Sequence, residues 1–393
     1  MKNYCLLLLM LFGLGFKAHA QYPGCPGVIM DPTGVGLTNN LDGSISVCEV
    51  GTEVTFTATY LKTGGTETYA VAPIPYNPPF PFTTGTATSL AGDDDWSEVI
   101  DLGFDFCFFN KTYNKALATD NGAITFSVQG FGGVYTPLGG AGFTFNQQIP
   151  FTPAGTGPPY KAAIFGVLQD TNASPTASGP GAQISYEIVG TYPCRTLVFN
   201  IFEIGQFSCN TGVGTQTSQV VLYEGTNIID VYVEKRTPCL NHNGGNGLIG
   251  VQNEDGTIGI SPPGRNTGTW TAMNEAWRFT PNGAPNYVLE WYQDGVLLPT
   301  TTDNLTLVPT GPTEIVARVT YMQCNGVEIV SEQSQTILFD DPPVLGNPRL
   351  LKQCVGINGS TTFDLTQINN DITTDPAYVF EYFATELDIQ NDV

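Results

Sequence analysis

Short runs rich in Val, Ile, Thr, Phe and Tyr recur along the chain, and Gly and Pro punctuate them. The clearest are Glu53–Tyr60, Phe104–Phe109, Ala123–Val128, Ala162–Leu168, Gln183–Val189, Thr196–Ile204, Ser218–Tyr223, Ile228–Glu234, Val288–Tyr292 and Glu314–Tyr321. Runs of this kind, bounded by turn formers, read as strands. No stretch sustains the i, i+3, i+4, i+7 apolar spacing of an amphipathic helix, and the helix formers Lys and Glu are scarce. The pattern predicts an all-β chain with a multi-domain β-sandwich architecture.

The first twenty residues depart from that pattern. Lys2, the apolar run Cys5–Phe16 and Ala18-His19-Ala20 follow the order of a secretory signal peptide, cleaved before Gln21. The run is too short to cross a hydrocarbon core of about 30 Å. Elsewhere Gly, Pro, Asp and Asn interrupt every apolar segment, so no transmembrane segment is expected. Tyr22-Pro23-Gly24-Cys25 lacks the aliphatic residue of a lipoprotein site. Four segments follow the signal. Residues 21–67 form a small N-terminal β module. Residues 68–283 are the main domain, opening on the Pro-rich Ala72-Pro73-Ile74-Pro75 and closing at Thr280-Pro281-Asn282-Gly283. Residues 284–340 are a compact strand-rich unit, and 341–393 begin with a Pro-containing linker.

Composition sharpens this picture. Charged residues make up only 13%, against 45 Gly and 28 Pro, a balance that favours turns and strands. Acidic residues number 36 and basic ones 14, for a net charge of −22 that falls by two more when Lys2 and Lys17 leave with the signal. Such a field repels nucleic acid and anionic membrane. It suits solubility outside a cell, or a surface for divalent cations. Of nine cysteines, Cys5 leaves with the signal, and the eight that remain suggest disulfides in an exported chain. No C-x-x-C spacing points to a thiolate metal site. Thr196–Ile204, Ser218–Tyr223 and Ile228–Glu234 read as an antiparallel meander. Its first and third strands finish at one end of the sheet, so the loops holding Cys209 and Cys239 are expected to meet and pair. Locality favours Cys25 with Cys48, and elimination leaves Cys107 with Cys194.

Little in the chain points to catalysis. The one histidine after the signal, His242, lies in the loop Asn241-His242-Asn243-Gly244-Gly245, with no G-x-S-x-G elbow, and reads as a surface-loop residue. Gly139-Gly140-Ala141-Gly142 reads as a flexible loop rather than a phosphate cradle. Two carboxylates would suffice for a glycosidase. The candidates are Asp93, Asp94, Asp95, Asp101, Asp105, Asp120, Asp170 and Glu203, and nothing in the sequence sets any two of them across a cleft. No enzyme is expected. Calcium is the one cofactor suggested. Asp93, Asp94 and Asp95 precede Trp96, while Asp120-Asn121-Gly122 and Asp170-Thr171-Asn172 are compact, oxygen-rich turns of the kind hard cations take. Ordinary turn chemistry explains the same residues, and no EF-hand spacing is present, so both readings stand.

Several runs in order carry a resemblance. They are Leu102-Gly103-Phe104-Asp105-Phe106-Cys107-Phe108-Phe109, Thr119-Asp120-Asn121-Gly122-Ala123-Ile124-Thr125-Phe126, and Ala163-Ile164-Phe165-Gly166-Val167-Leu168-Gln169-Asp170. Cys194-Arg195-Thr196-Leu197-Val198-Phe199, Val220-Val221-Leu222-Tyr223-Glu224 and Gly247-Leu248-Ile249-Gly250-Val251-Gln252-Asn253 follow. Over roughly residues 68–283 the chain resembles the nidogen-like extracellular domain in its version from exported proteins of Bacteroidetes. The resemblance implies a non-catalytic domain of adhesion and matrix proteins. Residues 284–340, through Glu290-Trp291-Tyr292-Gln293-Asp294-Gly295 and Cys324-Asn325-Gly326, resemble the immunoglobulin-like unit of type IX secretion cargo of that phylum, the gliding-motility-associated group. That implies a buried Trp291, and no upstream cysteine of the unit is available to Cys324. Cys354, Phe363-Asp364-Leu365-Thr366-Gln367-Ile368-Asn369 and Tyr378-Val379-Phe380-Glu381-Tyr382-Phe383 resemble one surface repeat of the group. Such cargo ends in a type B sorting domain, whereas this sequence stops at Asp392-Val393 inside a repeat, so a fragment is expected, the alternative being export by another route.

The function expected from all this is adhesion or surface structure, secreted or on the outer cell surface. Loops of the main domain would contact an extracellular protein or glycan ligand. A carbohydrate-binding surface protein is the alternative. In it Tyr135, Phe143, Tyr160 and Trp270 would stack on sugar rings, although core or lid roles suit the same aromatics.

Overall fold

The computed structural model describes residues 24–47, 51–131, 134–136, 147–152, 160–339, 351–352, 364–374, 380 and 382. The signal region, Cys48, the Gly139–Gly142 loop, Phe143, the side chain of Tyr135, Cys354 and most of the expected surface repeat lie outside the described residues. The chain falls into two compact units. One takes in Phe56–Leu305 and Glu314–Ser334 with the residues up to Pro32; the other takes in Thr33–Thr55, Thr306–Thr313 and the residues from Gln335 on. The architecture is mostly β and multi-sheet, helix is confined to short pieces such as Pro175–Ser178, and no sheet closes into a barrel.

Two antiparallel sheets make the body of the first unit. One has seven strands, in the order Gly259–Ile260, Asn246–Gln252, Ala163–Leu168, Ala123–Thr125, Lys111–Ala118 and Ile100–Phe108, with Asn266–Thr269 also pairing Asn246–Gln252. The other has eight, in the order Tyr69–Pro73, Ala272–Pro281, Ile229–Arg236, Gln216–Tyr223, Thr196–Gln206, Gln183–Val189 and Thr86–Ala87, with Thr171–Asn172 on Thr196–Gln206. Along Ile100–Phe108 the alternation is that of a half-buried strand: Leu102, Phe104 and Phe106 are buried, while Asp101, Gly103 and Asp105 are exposed. Those phenylalanines share one core with Leu197, Phe199, Val220, Leu222, Val231 and Phe279 of the other sheet, so the two sheets pack face to face. Each fully buried Phe contributes about 1.5–3 kcal/mol.

Both outer faces are apolar as well, and irregular chain covers them. Val221, Tyr223, Tyr232 and Ala276 on the eight-stranded sheet lie under Ile74, Tyr76 and Phe80. Gln219 Nε2 donates to the Phe80 carbonyl at 3.0 Å. Pro73, Pro75, Pro78, Pro79 and Pro81 suit this cover, because proline has no N–H to leave unpaired. On the seven-stranded sheet Phe165, Leu168 and Leu248 lie under Ile149 and Tyr160, with Trp96 and Phe151 beside them.

Further strands complete the two units. In the first, Tyr287–Gln293 pairs antiparallel with Thr313–Met322 and Val296–Leu297. Trp291 is fully buried there, and its Nε1 donates to the Thr302 carbonyl at 2.9 Å. Thr57 Oγ1 donates to Asn304 Oδ1 at 2.9 Å. In the second unit Ile45–Val47 runs antiparallel to Leu37–Asn39 and parallel to Ile337–Phe339.

Among the described residues three disulfides join distant segments, with Cα separations of 4.8 Å for Cys25–Cys194, 5.9 Å for Cys107–Cys324 and 5.8 Å for Cys209–Cys239. The last is the pair that meander geometry selects. The other two correct the pairings Cys25–Cys48 and Cys107–Cys194. Gly24 lies on Tyr223 and Pro26 on Gly225, which brings Cys25 to Cys194 at the sheet end. Cys107, near the end of its strand, meets the loop that follows Thr313–Met322, so Cys324 finds its partner in the main domain. Neither approach is encoded in sequence spacing.

A charged pair tests the covered outer face. Asp230 is fully buried, and Arg278, opposite it on the neighbouring strand, donates Nε to Oδ1 and an η-nitrogen to Oδ2, both at 2.7 Å. The hydroxyls of Tyr223 and Tyr232 donate to the same Oδ2 at 3.1 Å. Asp230→Ala strands the guanidinium and should remove about 3–5 kcal/mol of stability, read by urea unfolding under non-reducing conditions. A loss below about 1 kcal/mol, as for an exposed pair, would contradict this account.

Candidate functional site

Loops from four places converge at one end of the two sheets, and a single turn organises them. Gly122 has φ +88°, and a β-carbon on it would lie 2.2 Å from the Val167 carbonyl oxygen, so only glycine fits the turn that starts the strand Ala123–Thr125. The turn places two buried side chains, Asp120 and Asn121, both 0% exposed. Asn121 Oδ1 accepts the Thr171 amide at 2.7 Å, and its Nδ2 donates to Asp94 Oδ1 at 3.0 Å. Asp120 accepts the Asp95 amide at 3.0 Å and the Asp94 amide at 3.3 Å, and its carbonyl accepts the Thr171 hydroxyl at 2.7 Å. This one turn therefore fixes both the Asp93–Asp95 loop and the Asp170–Asn172 segment.

Of the five candidate metal ligands, the structure brings three together. Asp93, Asp94 and Asp170 each present a carboxylate oxygen, and the three atoms lie within 4.8 Å of one another. Asp120 positions the loop instead, and Asp95 is exposed beside Gly92. Two oxygens on opposite sides of one calcium, at about 2.4 Å each, lie about 4.8 Å apart, so the spacing fits a single ion. Asp93 Oδ1 is buried with no hydrogen-bond partner. Burial, then the charges of Asp94 and Asp95, raise the Asp93 pKa. Burial chiefly pushes Asp170 up to about 6; His242 and a hydrogen bond from Asn243 oppose the shift, while Asp94 and Asp93 add to it. Burial likewise pushes Asp120 up to about 8, against the amides that it accepts. At an effective dielectric near 20, each carboxylate pair at this spacing repels by on the order of 3 kcal/mol. A divalent cation would turn that repulsion into attraction.

His242, read from sequence as a plain surface residue, borders this cluster. Its Nε2 lies 2.9 Å from Asp170 Oδ2, and its ring meets Phe207 edge-on at 4.6 Å. The Cys209–Cys239 bond ties together the two loops that supply Phe207 and His242, and the Phe207 amide donates to the Asp170 carbonyl at 3.0 Å. The signal available in sequence was only that His242 lies three residues after Cys239. Behind Asp170, fully buried Arg236 donates Nε to Gln169 Oε1 at 2.5 Å.

The other candidates lie elsewhere in structural roles. Asp101 accepts the Gly103 amide, Asp105 accepts Asn325 Nδ2 at 3.0 Å, and Glu203 pairs with Lys235 at 2.5 Å. Two of the aromatics proposed as sugar platforms are core residues, Tyr160 at 6% exposed and Trp270 at 9%. Trp270 is flanked by the guanidinium groups of Arg236 and Arg265, at 4.2 and 4.6 Å from its ring centre. Among the described residues no helix is long and apolar enough to cross a membrane.

Residues 60–288, more than half of the chain, match the family described as NIDO related. No curated protein matches the chain.

Asn121→Ala removes a buried acceptor from Thr171 and a donor from Asp94. It should lose about 2–3 kcal/mol of stability, whereas exposed Asp95→Asn should stay within about 0.5 kcal/mol. Urea unfolding of the two variants decides it, and equal losses would show that the turn does not organise the loops.

Proposed function

The chain belongs to the NIDO-related family, and from that premise we propose an exported, non-catalytic adhesion or structural protein of the cell exterior. It binds its ligand through loops of the family domain, and Asp93, Asp94 and Asp170 hold calcium at one end of that domain. One observation carries the reading: the three disulfides among the described residues all cross-link the unit that contains the family domain. Bonds of this kind persist in oxidising compartments outside the cytosol. The signal-like first twenty residues and the excess of acidic groups support the same location. The resemblance of the later segments to type IX cargo supports that export route. Buried Trp291 supports reading residues 284–340 as an immunoglobulin-like spacer. Its join to the main domain is stiff, because Cys324 is bonded to Cys107 and Gln323 donates to the Gly225 carbonyl at 3.0 Å.

Calcium chloride titrated calorimetrically into the full chain should bind at one site, and Asp94→Asn or Asp170→Asn should abolish the heat. At a hundredfold excess over Kd the ion should add about 2.7 kcal/mol to stability. Identical titrations of wild type and variants would reduce the cluster to turn chemistry.

Location has its own test. A non-permeant protease applied to intact expressing cells should remove the protein or find it in the medium, and Cys25, Cys107, Cys194, Cys209, Cys239 and Cys324 should resist maleimide until a reductant is added. A protease-protected chain whose cysteines label at once would end the exterior reading.

A further inference from the structure

A cleft of about 250 Å³ lies in the same unit, between the tips of two hairpins and away from the acid cluster's residues. The hairpin joining Ile100–Phe108 to Lys111–Ala118 supplies Phe109, Lys111 and Tyr113, the loop after Asn246–Gln252 supplies Glu254 and Asp255, and Glu67 closes the rim. Tyr113 is stacked on Phe126 with ring centres 5.1 Å apart and planes 19° apart, and it lines the cleft beside Phe109. Phe109 and Asn110 turn the chain with φ of +46° and +60°, a conformation that Asn-Gly adopts more readily. Phe109 keeps its place there by packing edge-on against Phe108 and Tyr69.

The electrostatics of the rim narrow the choice of ligand. Glu254 and Asp255 act on the one cation of the lining, Lys111, whose ion pair with Glu254 is solvent-exposed (58% and 39%) and therefore weak, while the Glu67 carboxylate at the rim accepts the Ala284 amide. The negative field reaches the Tyr113 hydroxyl, which burial first and then the charges of Glu254 and Asp255 push above the ordinary phenol value. An aromatic face accepts the C–H face of a sugar ring, and carboxylates accept hydrogen bonds from its hydroxyls. The surplus of negative charge repels a uronate and attracts an ammonium group. The volume suits one ring better than a drug-sized ligand.

We propose that this cleft binds a single pyranose ring and prefers one that carries a protonated amine. This rests on the reading that loops of the family domain bind the ligand and shares no residue with the acid cluster, so the calcium titration and this one fail independently.

The test uses the full chain in the presence of a chelator, with calorimetry and saturation-transfer NMR on methyl glucopyranoside, its 2-amino-2-deoxy analogue and methyl glucuronide. The amino sugar should bind about fivefold more tightly than the neutral one, the factor that one exposed unit-charge contact supplies, and the glucuronide should not saturate. Glu254→Gln with Asp255→Asn should erase that preference, so that the amino sugar binds no more tightly than the neutral glycoside. Phe109→Ala should weaken both sugars. Absence of saturable binding below roughly 50 mM, a glucuronide that binds as well as the amino sugar, or a lysine peptide that matches it would each overturn the proposal.

Discussion

The central strands of this protein are buried on both faces, and most other features follow from that constraint. Every residue of Gln216–Tyr223 is buried. Val220 and Leu222 point to the shared core, whereas Val221 and Tyr223 belong to the outer cluster. Two sheets packed together cover only one face of each, so a third and a fourth layer are needed. Irregular chain supplies them, and irregular chain brings polar backbone into contact with apolar surface. The eight-stranded sheet meets this difficulty with prolines and with side-chain amides from the sheet itself, Gln219 to Phe80 and Asn200 to Thr84. The Asp230–Arg278 pair, with its two tyrosine hydroxyls, belongs to the same solution, although Gln219 Oε1 is buried there without a hydrogen-bond partner.

The same economy governs the place where three distant segments meet, the hairpin turn between Gln216–Tyr223 and Ile229–Arg236. A β-carbon on Gly225 would lie 2.4 Å from Pro26 and 2.7 Å from the Pro193 carbonyl oxygen, so glycine is required for the N-terminal segment to seat. Glu224 accepts both the backbone amide and the guanidinium of Arg195. Asn227 accepts the Cys107 amide at 2.8 Å and donates to Gln323 at 2.9 Å. Two of the disulfides among the described residues therefore flank a hydrogen-bond network that the turn itself makes. They lock an arrangement that the turn specifies, in line with disulfides acting mainly on the unfolded chain.

Strands with a clean apolar pattern were legible in the sequence, and those that hide charge were not. Lys111–Ala118 exposes most of its first half and carries no alternation, yet it pairs with both neighbours in its sheet. Ala272–Pro281 contains Glu275 and Arg278, which interrupt any apolar pattern and are paired with Arg265 and Asp230. The Cys209–Cys239 bond was legible because a meander fixes where its strand ends emerge. Cys25–Cys194 and Cys107–Cys324 depend on packing between segments 169 and 217 residues apart, for which local pattern carries no signal. The site divides in the same way. Its acidic turns could be read as turns, but the selection of Asp93, Asp94 and Asp170 from five carboxylates depends on Ala163–Leu168 lying beside Ala123–Thr125. His242 joins only because a disulfide holds its loop there.

The acid cluster sets three carboxylates against one another, with their oxygens within 4.8 Å. Its loops are held by the Asn121 side chain and the amides that Asp120 accepts, so the carboxylates are fixed close together even though they repel. Repulsion on the order of 3 kcal/mol per pair is comparable with what a few buried hydrogen bonds return. The fold can therefore carry the cluster, at a cost. A cation proposed for this position would meet ligands already in place and would lose little to ordering them. Its binding would mostly remove the repulsion and stiffen the loops that meet at Asp170. Extracellular calcium modules work at about 10⁻⁴–10⁻³ M, a range that three carboxylates with one buried and unpartnered oxygen can serve. The disulfides set the shape of the loops permanently, and the cluster would then set their rigidity reversibly.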